Sequence, residues 1–202
     1  ILASGSPRRR ELLTRAGYVF DVEPADVDES RLPDELPSDY VLRLAMFKAV
    51  TVCSGPEDER FVLAADTIVV LDNDVLGKPQ GRDDAVMMLQ RLSGRSHEVL
   101  TGVALVCGGA RCSGMVKTEV ALIDLDDQTI ATYVATGESF DKAGAYGIQG
   151  LASRFVDRIN GSYTNVVVSS IVWAVLTEKL DTACICKNPP RVGHSFIAMP
   201  TQ

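Results

Sequence analysis

Between Phe61 and Leu71 every residue is apolar except Asp66 and Thr67, which sit side by side near the middle of the run. An apolar run without alternation reads as a strand buried on both faces. Burying a carboxylate there costs on the order of several kcal/mol unless it is paired or bound to a metal. Something must therefore compensate Asp66. A structural salt bridge is one answer; a metal ion or an activated water is the other. The second is favoured because an Asp at the break of a buried strand opens onto the sheet edge, where α/β sites form.

The flanking segments alternate between helix and strand signals. Ile1 to Ala3 reads as a strand end, followed by a helix with Ser6 as N-cap, Pro7 in its first turn and Gly17 as its stop. A second helix is expected over 39–53, capped by Ser38, with Val41, Leu44, Ala45 and Val52 on its apolar face and Lys48 on that same face. Asp72-Asn73-Asp74 predicts a turn into Val75-Leu76, and Gly77-Lys78-Pro79 a loop. A helix should end at Ser93-Gly94, and strands over 98–107 and 116–123 should meet across Gly108-Gly109. After a helix from Asp126 or Asp127 to Gly137, the segment 138–150 is rich in glycine and able to bring its backbone close to a ligand. A short strand over 155–159 and a last helix over 171–180 complete the reading. Interleaved elements predict an α/β fold with a mixed, twisted sheet and flanking helices. Residues 1–180 are expected to form one domain and 181–202 an extension.

Composition limits the partners. The chain of 202 residues is 46% hydrophobic and carries a formal net charge of −7, so as a whole it repels a polyanion, and nucleic acid is not an expected partner. A small phosphate ligand needs only a few converging cations. No apolar run approaches the length that spans a bilayer, and no charged-then-apolar leader is visible, so no membrane partner and a cytoplasmic location are expected. The five cysteines form no paired framework, which predicts reduced thiols. Cys184, Cys186 and His194 are too irregularly spaced to argue for zinc.

Several pieces suit a phosphate. The strand-to-helix turn from Ser4 to Arg9, including Ser4 and Ser6, leaves free N–H groups and the positive end of a helix dipole beyond the sheet edge. Arg8 and Arg9 add guanidinium groups, although solvated surface arginines would read the same way. Lys48 and Lys78 would bring the cations to four, about the number that matches a triphosphate, unless they only snorkel to water. Asp28, Glu29 and Asp66 offer hard oxygen ligands for magnesium or manganese. Neither His97 nor His194 adjoins a serine or cysteine elbow, so direct attack by water is the economical chemistry.

These residues also fall into a known pattern. Ser4-Gly5-Ser6-Pro7-Arg8-Arg9, Leu44-Ala45 with Lys48-Ala49, Ala65-Asp66-Thr67, Gly77-Lys78-Pro79, the stretch from Asp141 to Gly150 and the stretch from Asn160 to Val167 resemble, in order, the motifs of the Maf family of nucleotide pyrophosphatases. The resemblance implies a two-lobed α/β fold similar to the inosine triphosphate pyrophosphatases, with a cleft between the lobes. It also implies a divalent cation (Mg2+ or Mn2+), a homodimer, and release of pyrophosphate from a nucleoside triphosphate. Asp66 matches the family's proton acceptor, and Arg8, Thr67 and Gln149 match positions tied to substrate choice in its dTTP/UTP branch. The chain departs from the pattern at Val168-Ser169-Ser170, where the family usually continues Gly-Leu-Pro.

The resulting expectation is a metal-dependent house-cleaning hydrolase in which Asp66 is catalytic. Ser4, Ser6, Arg8, Arg9, Lys48, Thr67, Lys78 and Gln149 would bind substrate, and Glu29 and Asp66 would hold the metal. The alternative is a nucleotide-binding regulatory module without hydrolysis, linked to cell division and septum formation.

Overall fold

The computed structural model describes residues 1–166; the helix expected over 171–180, the Val168-Ser169-Ser170 departure and the 181–202 extension lie outside them. Along the chain come α1 (Pro7–Arg15), α2 (Pro37–Val52), β1 (Val62–Leu71), β2 (Asp74–Leu76), α3 (Arg82–Leu92), β3 (Ser96–Cys107), β4 (Ala110–Leu122), α4 (Asp127–Ala135), β5 (Val156–Asn160) and α5 (Tyr163–Val166). The five strands form one sheet in the order β2-β1-β3-β4-β5. All of its ladders are antiparallel. Leu2 adds parallel bridges to Leu63 and Val22, which makes the pairing mixed at that edge alone among the described residues.

β1 is buried along its whole length except at Thr67, as an apolar run without alternation requires. Its two faces take different covers. Val62 and Ala64 pack with Ala45 and Ala49 of α2, and Ile68 and Val70 with Val41 of the same helix. On the other face Leu63 and Ala65 pack with Leu13 of α1, whereas Val69 and Leu71 pack with Leu89 of α3 and Ile130 and Tyr133 of α4. That second face thus carries two separate hydrophobic covers with Thr67 between them. These are the two lobes, and the gap between them is the cleft.

One glycine sets how closely α2 lies on the sheet. Gly102 of β3 pairs with Asp66, and a side chain at Gly102 would run into the Val41 carbonyl of α2. Its absence lets the helix settle on the strands. Lys48 lies about two turns beyond Val41 on the same helix, so the close approach carries its stem over Asp66.

Several local details differ from the sequence reading. α2 begins at Pro37, so Ser38 lies inside the helix and does not cap it: proline's fixed φ already suits the first helical position. In α1, Ser6 holds the N-cap place but its hydroxyl makes no cap bond; its N–H instead donates to Ser4 Oγ at 3.3 Å. β4 starts at Ala110 and not near Val116, because the hairpin with β3 carries the ladder through a polar stretch that has little strand propensity of its own. The Asp72-Asn73 turn is as expected, with positive φ at both residues closing the β1–β2 hairpin. No helix among the described residues is long and apolar enough to cross a membrane.

Candidate active site

Between the Leu2 bridge and β2, the outer edge of β1 from Ala65 to Ile68 has no strand partner among the described residues. A cavity of about 1030 Å³ reaches the sheet at this opening. Neighbouring residues of a strand point to opposite faces. The open edge nevertheless lets both Asp66 and Thr67 line the same space. So do Ser4, Ser6, Arg8, Arg9, Glu29, Lys48, Lys78 and Gln149, and the residues singled out from sequence for catalysis, substrate or metal thus meet in one cavity, Asp28 excepted. Asp28 does not line it; its Oδ1 accepts from the Ser30 N–H at 2.9 Å.

At the base of the cavity Lys48 Nζ lies 2.6 Å from Asp66 Oδ1 and 2.6 Å from Glu29 Oε1. The buried carboxylate is therefore compensated by a salt bridge. The triad still carries one negative charge in excess, since one ammonium faces two carboxylates. Tyr40, a residue the sequence reading passed over, donates its hydroxyl to the Glu29 carbonyl at 2.7 Å. Burial first, and then the charges of Asp66 and Glu29, push the Tyr40 hydroxyl up, which keeps it a donor.

The two arginines have separate fates. Arg9 is buried: Nη1 donates to Ser4 Oγ at 2.9 Å and to the Ala65 carbonyl at 2.6 Å, and Nη2 to Thr67 Oγ1 at 3.4 Å. It stitches the α1 turn to the open edge of β1, and its Nε has no partner among the described residues. Desolvation lowers its pKa, opposed by the charges of Asp66 and Glu29. Thr67 Oγ1 also lies 2.9 Å from Thr101 Oγ1 of β3, a cross-strand pair that fixes its rotamer. Arg8 is half-exposed and reaches across the cleft to Asp141, with 3.9 Å between Nη2 and Oδ2. Lys78 and Gln149 are exposed and make no hydrogen bond or ion pair among the described residues.

The glycine-rich segment is braced from below. Tyr146 lines the cavity and its hydroxyl lies 2.6 Å from Nε2 of His97, which is 2% exposed and sits on β3. Desolvation pushes the His97 pKa down to about 4, so the ring is neutral near pH 7. The stretch from Asn160 to Asn165 has a structural part to play. Asn165 Nδ2 donates to the Val99 carbonyl at 2.9 Å and to Thr118 Oγ1 at 3.0 Å, which pins α5 to the sheet. Tyr40 and Thr101 were missed because nothing in their local sequence distinguishes them from ordinary core positions; His97 stood out only as a base without a nucleophile, and its bond to Tyr146 is a tertiary contact. Tyr146 stood inside a motif already singled out. Cys53 and Cys107 carry free thiols; Cys184, Cys186 and His194 lie outside the described residues.

A family profile described as Maf-like protein matches residues 1–167. A protein named dTTP/UTP pyrophosphatase from Hahella chejuensis is 50% identical over 169 residues, which cover 83% of this chain and 84% of that protein. Proteins of the same name from Anaeromyxobacter dehalogenans and Vibrio cholerae are 53% and 50% identical, again over 83% of this chain and over 86% and 89% of theirs. Among solved structures, a nucleoside-triphosphatase / dITP/XTP pyrophosphatase from Mycobacterium abscessus overlaps at 16% identity with a TM-score of 0.35, covering 60% of this chain and 72% of that one, too loosely to carry an argument. The profile match and the identity over most of both chains establish that the chain belongs to the Maf family.

Proposed function

We propose that this chain hydrolyses nucleoside triphosphates to the monophosphate and pyrophosphate, with dTTP and UTP preferred. The observation that carries the reading is the buried Asp66–Lys48 pair at the base of a cavity whose lining also holds Arg8, Lys78 and Gln149. The names of the relatives support the same substrates.

In the proposed reaction Asp66 accepts a proton from a water while the water oxygen bonds to phosphorus. The P–O bond to the departing pyrophosphate breaks, and its electron pair leaves with that group. Lys48 holds the Asp66 carboxylate in place. Arg8 and Lys78 offset charge on the phosphates, and Lys78, with no other partner among the described residues, is free to turn to them. Arg9 keeps Ser4 and Thr67 in position, a different part from the phosphate ligand the sequence suggests. Gln149 carries both an amide donor and a carbonyl acceptor, which match the alternating edge of thymine or uracil.

A divalent cation fits the donors present. Asp66 and Glu29 supply two hard carboxylates with charge in excess of the Lys48 ammonium. Among the described residues no cluster of three or more metal-binding side chains exists. Two carboxylates are a number that magnesium or manganese takes from a protein, with water and phosphate oxygens completing the shell. When bound, the cation would supply positive charge beside the phosphate oxygens. The homodimer implied by the family belongs to the same proposal.

The test is pyrophosphate release from dTTP, UTP, CTP and GTP with manganese, with magnesium and with a chelator. Highest kcat/KM for dTTP and UTP, abolished by chelation, is expected. A best rate on CTP or GTP would overturn the base preference. Tight binding without pyrophosphate release would favour the regulatory alternative.

A further inference from the structure

Gln149 stands on a short loop whose own internal bonds are few: the Gly150 N–H donates to the Gly147 carbonyl at 3.0 Å and the Ser153 N–H to the Gly150 carbonyl at 3.0 Å. The loop is fastened to the rest of the lobe by Glu138, which follows α4. Glu138 Oε2 accepts the Leu151 N–H at 2.9 Å, and Oε1 accepts the hydroxyl of Tyr133 at 3.2 Å. Tyr133 is fully buried and packs edge-on against Phe155, with ring centroids 5.2 Å apart, so the carboxylate is anchored to the core. Lys142 holds the other side: its Nζ donates to the Glu138 carbonyl and lies 2.5 Å from Asp141 Oδ1.

The glycines on either side of Gln149 fit this brace. A Cβ at Gly150 would collide with the Glu138 carboxylate, and one at Gly147 would lie 2.6 Å from Cε of Lys142. The loop backbone is therefore laid directly on the Glu138 carboxylate and the Lys142 stem, with Gln149 between the two contacts. An amide reads a base edge only when its backbone is fixed, because a side chain free to move serves several bases equally well.

We propose that Glu138 is a positioning residue for base selection: by holding the Leu151 N–H it fixes the Gln149 loop and so sets the preference for uracil and thymine over other bases. This rests on the reading of Gln149 as the base-reading group. Glu138 lines the same cavity but bonds neither Asp66 nor Lys48 among the described residues, so its effect is assigned to recognition.

Steady-state kinetics of Glu138→Ala, Glu138→Gln, Leu151→Pro, Gln149→Ala and the Glu138→Ala/Gln149→Ala double variant test the proposal, read as the ratio of kcat/KM for UTP to that for CTP. Glu138→Ala should lower the ratio about 10-fold or more, mostly through KM for UTP, as loss of a hydrogen bond to a charged group implies. Glu138→Gln, which keeps an acceptor for Leu151, should recover most of it. Leu151→Pro removes the same N–H from the other side at the first residue of a helical turn, where proline is tolerated, and should reproduce the loss in a folded protein if Glu138→Ala does not fold. In the double variant the Glu138 change should add nothing further. A wild-type ratio in Glu138→Ala or Leu151→Pro, with a collapsed ratio in Gln149→Ala, would overturn the clamp and leave the Gln149 reading standing. A wild-type ratio in Gln149→Ala would overturn the reading itself and the proposal with it.

Discussion

The Lys48 ammonium lies 2.6 Å from Asp66 Oδ1, and only 11% and 13% of the two side chains is exposed. A pair this shielded makes its two members unequal under mutation. Lys48→Met leaves a buried carboxylate without its partner and should destabilise the fold by about 3 to 5 kcal/mol. Asp66→Asn removes the charge itself, and Lys48 keeps Glu29, so its cost should be well below that of Lys48→Met. Urea denaturation of both variants checks the order; a greater loss for Asp66→Asn would contradict the pairing.

Arg9 should behave as a structural residue as much as a ligand. Arg9→Ala removes bonds to Ser4, to the Ala65 carbonyl and to Thr67 at once, and a loss of about 3 kcal/mol in stability is expected. Arg9→Lys keeps the charge without the fork and should recover only part of it. Thermal melting together with KM decides the matter: an unchanged melting temperature with a raised KM would return Arg9 to the phosphate cradle.

Lys78 should show the opposite pattern. It is exposed and has no ion pair among the described residues, so Lys78→Ala should leave stability unchanged. If it meets a phosphate, kcat/KM should fall about 10- to 100-fold, the equivalent of roughly 1.5 to 3 kcal/mol. Unchanged kinetics would remove it from the site.

His97 predicts a pH window. Its folded pKa is held down near 4 by burial, against an ordinary value of about 6.5. Between these two values the unfolded chain binds a proton that the folded chain does not, so stability falls as pH drops from about 6.5 toward 4, by up to about 3 kcal/mol. Glu35, held down near 2 by Arg43, adds to acid loss only below the ordinary carboxylate range. Denaturation midpoints of wild type and His97→Gln between pH 7 and 4.5 should diverge, with the flatter profile in the variant. Parallel profiles would show that His97 is not the group that titrates.

Much of the site was legible because its chemistry stands against its surroundings. Asp66 and Thr67 interrupt an apolar strand, and Lys48 breaks an apolar helix face; each was visible as a local conflict. The α/β class followed from alternating periodicities in the same way. What pattern alone did not reveal depends on tertiary neighbours. The burial of Arg9 follows from the open edge of β1, which becomes visible only when the Leu2 bridge and β2 are seen to pair with different parts of that strand. The bond between His97 and Tyr146 joins residues 49 positions apart, and Thr101 meets Thr67 only through strand register. The early start of β4 likewise reflects its partner strand and not its own composition.

In the proposed function Asp66 serves the hydrolysis of a triphosphate between the monophosphate and pyrophosphate units. Phosphorus NMR of UTP incubated with the protein and manganese reads the products directly, and Asp66→Asn at equal concentration is the control. UMP and pyrophosphate are expected in equal amounts from the wild type, with a rate at least about 100-fold lower from Asp66→Asn. Release of UDP and inorganic phosphate, or an Asp66→Asn rate within a few-fold of the wild type, would contradict that function.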